Sequence, residues 1–386
     1  MQFTEAKKAR IEAAFRENFA LRGELGASLS IWQHGREVLS LAGGWMDRKK
    51  TRPWTAQTPV LVWSCTKPLS AACVLHALAR EGVPLSTPVC VLWPEFKQSG
   101  KDRITLAQAL SHQAGLAALD IPAPTLDHAA VAEALALQVP NWTPGLAHGY
   151  HPRTFGSLLD EILRRVDGTP GMTLGSYWQK HFAVPLGLDF WIGLPPEKVD
   201  AVASVFPPKL HSPASDPVFY KALNDRETLT ARAFASPRGL NGPASMNTPR
   251  ARMASLPAFG GIGTAHALAK FYAMLACGGA LEGIRFFESI APMTKRLANG
   301  PDRVLLCPSA FGAGGMLDPV DAAGKKLRQV FGPSLTAFGQ PGSGGSLAFA
   351  DPEHGIAFAY VMNQMELGVL PNEKALGLVE ALYETR

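Results

Sequence analysis

Long apolar stretches are absent from this sequence. A helix that crosses a bilayer needs about 20 predominantly apolar residues, and no such run occurs in the 386 residues. Residues 1–21 alternate charged and apolar side chains and lack the apolar segment and small-residue cleavage site of a secretory signal peptide. We therefore expect a cytoplasmic protein that neither spans nor binds a membrane.

Cysteine is scarce, and its spacing does not indicate a disulfide framework or a metal site. The chain has five cysteines, an odd number, and no C-x-x-C pair. This pattern favours reduced, buried thiols over paired cystines or zinc ligands. No metal or other cofactor is expected. The cysteines are Cys65, Cys73, Cys90, Cys277 and Cys307.

Charged residues are also few, at 18% of the chain against 47% hydrophobic residues, which is the composition of an ordinary globular protein. The formal net charge is +5, but the basic residues are scattered, and the one dense run, residues 48–52, is typical of a solvated loop. We expect no nucleic-acid partner, and the sequence leaves the oligomeric state open. The length allows one large domain or two interleaved domains.

Both ends of the chain have the pattern of a helix and a β-hairpin. Apolar residues on either side of a short turn predict one hairpin near each terminus, and helical spacing predicts one helix at each end. We therefore expect the two ends to build one antiparallel sheet covered by helices. The predicted segments are helix 5–18, strands 27–33 and 37–42, strands 346–350 and 356–363, and a helix over about 372–383.

The middle of the chain has a different pattern. Apolar residues recur at helical spacing over 69–80, 105–111 and 155–166, and proline-rich connections follow them. We therefore predict an α+β fold in which a mainly helical domain is inserted into a sheet domain. The predicted α/β domain with the central antiparallel sheet comprises residues 1–78 and 235–386, and the predicted inserted domain comprises residues 79–234.

The first candidate for chemistry is the Ser-x-x-Lys pattern from Ser64 to Lys67. About one or two such matches are expected by chance in a chain of this length, so its position matters more than its presence. Pro68 fits the first turn of a helix, where the amide N–H that it lacks would have no partner. We therefore predict that a helix begins near Ser64, with its hydroxyl at the positive end of the helix dipole and Lys67 on the same face.

This pair is useful for catalysis only if the lysine is neutral. A serine hydroxyl becomes nucleophilic when a neighbouring base takes its proton. Lowering a lysine pKa from about 10.4 to about 7 requires roughly 4 to 5 kcal/mol, and both burial and a helix N-terminus act in that direction. The alternative is that Ser64 only caps the helix while Lys67 is solvated, because serine is a favoured cap.

Two further segments have the composition of active-site loops. Tyr150 lies between a glycine and a proline-containing stretch, just before the helix predicted near residue 155, where a phenol could relay a proton. The alternatives are a structural tyrosine, or a metal pair of His148 and His151 that lacks a third ligand nearby. Residues 338–346 contain four glycines directly before a strand, and such a backbone can approach another group closely, as an oxyanion hole requires. The alternative there is a mobile glycine-rich turn.

The motifs occur in the order Ser-x-x-Lys near residue 65, a tyrosine near 150 and a glycine-rich strand entry near 340. In this order they resemble those of class C β-lactamases and, more closely, family VIII carboxylesterases. The resemblance implies the fold shared by β-lactamases and penicillin-binding proteins. No G-x-S-x-G motif occurs, which excludes the α/β-hydrolase type of nucleophile turn. Supporting similarities cover nearly the whole chain and include residues 93–96, 110–116, 260–265 and 349–352.

The resemblance also implies roles for individual residues. Ser64 would be the acylated nucleophile, Lys67 its base or proton reservoir, and Tyr150 the proton shuttle to the leaving group. The backbone N–H groups of Ser64 and Ser343 would hold the oxyanion. The residues expected to line the substrate pocket are Trp63, Trp142, Phe155, Gln340 and Gly342.

Two departures from the β-lactamase pattern favour esters over penicillins. Class C β-lactamases have asparagine where this chain has Pro152, and a Lys-Thr-Gly triplet where it has residues 340–342. The chain therefore lacks an amide for the side-chain carbonyl of a β-lactam and a cation for its carboxylate. The expected substrate is a small, neutral, short-chain ester. Gln340 also differs from the His or Trp that is common in these esterases.

Two alternatives remain open. The first keeps the acyl-enzyme and changes the substrate, as in a β-lactamase, a D-amino-acid peptidase or an acyltransferase. The second is a non-enzymatic homologue that retains the fold. The presence of Lys67 beside Ser64 argues against the second alternative, because a protein without catalytic activity has no need of this pair.

Replacing Lys67 by arginine tests its role as the base. Lys67→Arg is expected to abolish ester hydrolysis without unfolding the protein, because a guanidinium does not lose its proton at working pH. Hydrolysis of p-nitrophenyl acetate and the thermal unfolding midpoint measure the two effects. An active Lys67→Arg enzyme would show that Tyr150 or water is the base instead.

Overall fold

The computed structural model of the protein describes residues 3–209 and 216–384. Strands from both ends of the chain meet in one sheet, and helices occupy most of the segment between them. In chain order the strands are β1 (Gly26–Gln33), β2 (Arg36–Gly44), β3 (Val60–Leu61), β4 (Phe190–Ile192), β5 (Gly261–Gly263), β6 (Ala280–Leu281), β7 (Ile284–Arg285), β8 (Ala298–Pro301), β9 (Pro308–Phe311), β10 (Met316–Leu317), β11 (Phe338–Pro341), β12 (Leu347–Asp351) and β13 (Ile356–Met362).

The helices are mostly short. In chain order the α-helices are α1 (Glu5–Ala20), α2 (Thr66–Arg80), α3 (Val89–Leu92), α4 (Leu106–Leu110), α5 (His128–Leu137), α6 (Thr154–Asp167), α7 (Leu174–Trp178), α8 (Val184–Leu186), α9 (Pro217–Asn224), α10 (Leu229–Ala235), α11 (Pro243–Met246), α12 (Pro249–Met253), α13 (Ala265–Ala276), α14 (Ala291–Thr294) and α15 (Glu373–Tyr383). In the described part of the chain, none has the length and apolar character needed to cross a membrane.

The main sheet has, within the described residues, eight antiparallel strands in the order β2-β1-β13-β12-β11-β10-β9-β8. Both predicted hairpins are confirmed, β1 with β2 and β12 with β13. Strand β1 pairs with β13 over its length, with Ala27 opposite Met362 and Gln33 opposite Ile356. The two ends of the chain are therefore neighbours in one sheet, and the predicted α+β fold with a central antiparallel sheet is confirmed.

Helices cover both faces of this sheet. The ring of Phe15 in α1 packs edge-on against Tyr360 of β13, with centroids 6.5 Å apart. Trp32 of β1 packs against His266 of α13, with centroids 5.3 Å apart. Trp32 lies opposite Ala357 in the ladder, and residues 357 and 360 point to opposite faces because side chains alternate along a strand. Helix α1 therefore covers one face and α13 the other, as the sequence predicted for a sheet flanked by helices.

Helix α2 lies in the interior, between the sheet and the helical region. Its residues from Thr66 to Leu75 are all buried, and it packs against α6, α7 and β11. A helix that is apolar nearly all round is expected at such a central position. The segment that begins at Ser64 is therefore held from several sides.

Among its described residues, the predicted inserted domain, residues 79–234, contains the helices from α3 to α9, most of α10 and one short strand, β4. Strand β4 pairs with β5, which lies outside the insertion, and β5 also pairs with β3 just before Ser64. This small sheet connects the two parts of the chain directly beside the Ser-x-x-Lys segment. The division at residues 78/79 and 234/235 stays a prediction.

The prediction of buried thiols holds only in part. Cys65 and Cys73 are fully buried, and all five cysteines are unpaired. Cys277, in contrast, is exposed, because it follows the last residue of α13, where the chain leaves the core. Spacing alone does not separate such a helix-end cysteine from a core cysteine.

An ion-pair cluster joins α5 to α6, the helix that follows Tyr150. His128 Nδ1 lies 3.0 Å from Asp160 Oδ2, and its Nε2 lies 2.8 Å from Glu161 Oε2. Hydrogen bonds to Asp160 and Glu161 raise the pKa of His128 to about 9. The cluster therefore stabilises the protein fully below the unfolded-state pKa near 6.5, and this contribution is lost as the pH rises through about 9.

The pH dependence of the stability tests this cluster. The difference in unfolding free energy between the wild type and His128→Gln is expected to be largest near pH 6 and to shrink by about pH 9.5, because the imidazolium is lost over that interval. Urea unfolding at both pH values measures the difference. A difference that stays constant with pH would contradict the assignment.

Candidate active site

Ser64 lies in a single 3-10 turn, Trp63–Cys65, that leads directly into α2. The prediction that a helix begins near Ser64 is confirmed, with Pro68 in the first turn. The backbone of Trp63 has a φ of +50°, a conformation that costs free energy for a residue other than glycine and is often found at functional sites. Thr66 holds this turn in place: its Oγ1 donates to Trp63 O (2.6 Å) and accepts from the N–H of Gly261 in β5 (2.8 Å).

Lys67 has no exposed surface, and its amine makes three close polar contacts. Nζ lies 3.2 Å from Ser64 Oγ, 2.7 Å from Pro152 O and 2.9 Å from Ala258 O. The two carbonyls come from distant parts of the chain, the loop before α6 and the loop before β5. The alternative of a solvated Lys67 is therefore wrong, because the side chain is fully enclosed.

The surroundings of Lys67 favour the neutral amine. No carboxylate among the described residues lies within ion-pair distance of Nζ, and burial, followed by the charge of Arg153, holds the pKa of Lys67 well below its usual value. A neutral amine has two N–H donors and one lone pair. The carbonyls of Pro152 and Ala258 accept the two N–H groups, so that the lone pair is directed at the Ser64 hydroxyl.

Tyr150 lies on the other side of Ser64. Its side chain interacts with that of Ser64, and its ring lies 4.8 Å from Lys67 Nζ. Gln340 Nε2 donates to the Tyr150 hydroxyl at 3.3 Å. Burial raises the pKa of Tyr150 above its usual value, so the phenol keeps its proton. The structure thus brings the predicted residues Ser64, Lys67, Tyr150 and Gln340 together at one site.

Asp302 holds the backbone of Tyr150 in place, and the sequence analysis did not identify it. Its carboxylate accepts from the Tyr150 N–H at 3.0 and 3.1 Å, from the N–H groups of Val304 and Leu305 at 2.8 Å each, and from Ser309 Oγ at 2.7 Å. Asp302 is 3% exposed, so this single buried carboxylate organises the loop under Tyr150. The spacing of 152 residues between the partners leaves no local sequence signal.

The histidines near Tyr150 are neutral structural groups. His151 Nε2 accepts from the Leu116 N–H (2.9 Å) while its Nδ1 contacts Gly149 O (2.7 Å), and burial lowers its pKa to about 4. His148 Nε2 instead contacts Ser309 Oγ at 3.0 Å. The two histidines therefore have separate partners and do not converge on a common point, as a metal pair would.

The glycine-rich segment is partly a strand. Residues Phe338–Pro341 form β11, and only residues 342–346 form the turn. The prediction placed residues 338–346 directly before a strand and did not identify β11 within them, because a four-residue strand that contains glycine and proline is too short for periodicity to show. Gly342 is required in this turn, since a Cβ there would lie 2.3 Å from Val62 O. This close approach places the turn directly against the Ser64 segment.

Ser343 presents a free donor in this turn. Its N–H has no acceptor among the described residues, whereas Gly342 N donates to Ser346 O at 2.7 Å and Gly344 N donates to Gly368 O at 3.1 Å. Cys65 Sγ donates to Gln340 O at 3.1 Å and fixes the end of β11 beside the 3-10 turn. The turn can therefore offer one unused N–H beside the nucleophile.

The three aromatic residues predicted to line the pocket differ in their surroundings. Trp63 precedes the nucleophile, and its ring N–H is buried without a partner among the described residues. Trp142 donates to Ala147 O at 3.1 Å and packs over Gly149, so it supports the Tyr150 loop. Phe155 has no exposed surface and stacks on His112 at 4.4 Å. Phe155 therefore lies behind Tyr150 and offers no surface to a substrate, contrary to the prediction.

The role of Asp302 is tested by two variants of different severity. Asp302→Leu leaves three buried N–H groups without an acceptor and is expected to lower the unfolding free energy by at least about 3 kcal/mol. Asp302→Asn keeps one oxygen for these donors and is expected to cost about 1 kcal/mol. Urea unfolding measures both. Equal losses in the two variants would show that the carboxylate acceptors do not matter.

Comparison with known proteins agrees with this geometry. Residues 11–382 match the β-lactamase family model. The chain is 33% identical over 369 residues to the esterase/β-lactamase LipL of Mycobacterium tuberculosis, an alignment that covers 92% of this chain and 81% of the relative.

Solved structures show the same relationship. A family VIII carboxylesterase superimposes with a TM-score of 0.85 and 32% identity, and a penicillin-binding protein homologue from Caulobacter crescentus with a TM-score of 0.83 and 35% identity. Each of these two matches covers 99% of this chain and 98% of the other. The protein therefore belongs to the β-lactamase family and is a serine hydrolase of that family.

Proposed function

We propose that the protein is a carboxylesterase that hydrolyses small, neutral, short-chain esters through an acyl-enzyme on Ser64. The observation that carries the proposal is the contact of Ser64 Oγ with the buried Lys67 amine, beside Tyr150, whose hydroxyl accepts from Gln340. Lys67 Nζ lies 3.2 Å from Ser64 Oγ, within reach of the proton that the nucleophile must lose. General-base activation of this kind is what turns a serine hydroxyl into a nucleophile.

Acylation begins with the transfer of the Ser64 proton to Lys67 Nζ while Oγ attacks the ester carbonyl carbon. The negative charge that develops on the carbonyl oxygen is stabilised by the N–H groups of Ser64 and Ser343. Donors that are already fixed in place cost no reorganisation during the reaction, which is why such sites stabilise the transition state strongly. Ser64 N–H lies in the first turn of a helix, where N–H groups have no intrahelical acceptor.

Tyr150 completes the proton transfer. When the bond between the acyl carbon and the alkoxy oxygen breaks, the Tyr150 hydroxyl donates its proton to the leaving alkoxide, and the Lys67 ammonium restores that proton. In deacylation, water attacks the acyl carbon and gives one proton to the same pair, and Ser64 Oγ leaves and takes a proton back. Because the groups are coupled through Ser64, they titrate together rather than one by one.

The local chemistry supports a neutral substrate. Gln340, which contacts Tyr150, is uncharged and buried, so this position supplies no cation for a substrate carboxylate. Pro152 uses its backbone carbonyl to hold Lys67 and has no side-chain amide for a substrate carbonyl. Both features of the structure agree with the departures from the β-lactamase pattern seen in the sequence.

Substrate competition tests this proposal. Purified protein is expected to hydrolyse p-nitrophenyl acetate with a higher kcat/KM than p-nitrophenyl octanoate, and nitrocefin far more slowly than either, because the site lacks the cation and amide that bind a β-lactam. Faster turnover of nitrocefin than of both esters would identify a β-lactamase. Acyl transfer to an added alcohol at the expense of hydrolysis would identify an acyltransferase.

Covalent labelling tests the nucleophile. A fluorophosphonate probe is expected to label the wild type and Ser99→Ala, a matched change at an exposed serine, but not Ser64→Ala. Gel fluorescence measures the labelling. No labelling of the wild type would favour the non-enzymatic alternative.

A further inference from the structure

Two peptide carbonyls bind the Lys67 amine. The residues that follow these carbonyls in the sequence contact each other. Pro152 precedes Arg153, and Ala258 precedes Phe259. The guanidinium carbon of Arg153 lies 4.6 Å from the centre of the Phe259 ring, within the range of a cation–π contact. This contact therefore joins the loop before α6 to the loop before β5 at the point where both bind Lys67.

Arg153 is anchored by neutral oxygens only. It donates to Thr125 Oγ1 (2.7 Å), Asn241 Oδ1 (3.2 Å), Leu240 O (3.4 Å) and Gly239 O. No carboxylate of the described residues is among these partners, although Arg153 is only 7% exposed. Burial lowers the pKa of Arg153 to about 10, which still leaves the guanidinium charged at neutral pH.

A buried charge without a counter-ion costs stability. Arg153 directly follows Pro152, whose carbonyl binds Lys67, and this position indicates a role in the site. The titratable groups that face Lys67 are Cys65, Tyr150, His112, His151 and Arg153. Burial lowers the pKa of both histidines and raises the pKa of Cys65 and of Tyr150, so these four groups are neutral. Of these five groups, all among the described residues, Arg153 is therefore the one that stays charged.

We propose that Arg153 and Phe259 form a clamp that positions the Lys67 amine and, through the charge of Arg153, keeps it in the neutral form that can accept the Ser64 proton. The pair acts on Lys67 in two ways. The cation–π contact fixes the two peptide carbonyls that receive the N–H groups of Lys67, and the guanidinium disfavours a second positive charge nearby. Arg153 and Phe259 are thus positioning residues, and the inference rests on the proposed role of Lys67 as the base.

The pH profile of kcat/KM with p-nitrophenyl acetate separates the two effects. Its acid limb reports the ionisation of the base in the free enzyme. Arg153→Met removes the charge, so protonation of Lys67 becomes easier, and the acid limb is expected to move up by about one pH unit, equal to about a ten-fold loss of kcat/KM below the limb. Arg153→Lys keeps the charge and is expected to restore the position of the limb while kcat stays below the wild-type value.

Phe259→Leu and Arg164→Met complete the series. Phe259→Leu keeps an apolar side chain but removes the ring, and kcat is expected to fall several-fold with little movement of the acid limb. Arg164→Met is the matched control, since Arg164 is a neighbouring arginine whose charge is already paired with Asp160 at 3.1 Å. It is expected to leave the acid limb in place.

The outcomes distinguish this inference from the proposed function. If the wild type reacts with the fluorophosphonate and hydrolyses the ester, and if folded Arg153→Met keeps the wild-type acid limb, the clamp does not control Lys67 and the inference is overturned. The thermal unfolding midpoint identifies variants that fail to fold. If Arg153→Met does not fold, Arg153→Lys and Phe259→Leu test the clamp instead. A shift of the acid limb of the pH profile in Arg153→Lys would contradict the charge effect. A wild type that is neither labelled nor active would overturn the proposed function itself.

Discussion

The site depends on a buried amine that has no counter-ion within residues 3–209 and 216–384. Lys67 has its three polar neighbours, Ser64 Oγ, Pro152 O and Ala258 O, in positions that suit a neutral group with two donors and one lone pair. Each neighbour belongs to a different segment of the chain. Any movement of one segment changes the direction of the lone pair, so the surrounding structure is constrained by the geometry of one nitrogen atom.

The fold provides this constraint through connections between distant segments. Strand β5 receives hydrogen bonds from the segment just before Ser64 and is itself bonded to Thr66. Asp302 fixes the Tyr150 loop, and the turn after β11 packs against Val62 through Gly342. The sheet and the helical region thus meet along the site, and neither part contains all of the interacting groups.

Local patterns in the sequence predicted much of this structure. The terminal hairpins and helices follow from apolar periodicity and turn residues, and Pro68 located the start of α2. These features depend on residues that are close together in the chain, so they are visible in it.

Features that depend on long-range contacts were not predictable in the same way. The hydrogen bonds between Asp302 and the Tyr150 N–H join residues that are 152 positions apart in the sequence, and the carbonyls of Pro152 and Ala258 carry no side-chain signal at all. Phe155 was assigned to the pocket because it lies near Tyr150 in sequence, whereas helical geometry turns its side chain into the core. Sequence proximity indicates which loop a residue belongs to, but not the direction in which its side chain points.

The pairing of β1 with β13 has a consequence for the order in which the protein folds. The main sheet joins β1 to β13, a strand that is synthesised much later than β1, and the turn that carries Ser343 also belongs to this later part of the chain. Sheets built from such distant strands close slowly, since the long intervening chain must be ordered first. During translation, the segment with Ser64 and Lys67 therefore leaves the ribosome long before its partner strands exist. Until those strands form, the apolar residues of α2 stay uncovered, and such surface favours aggregation.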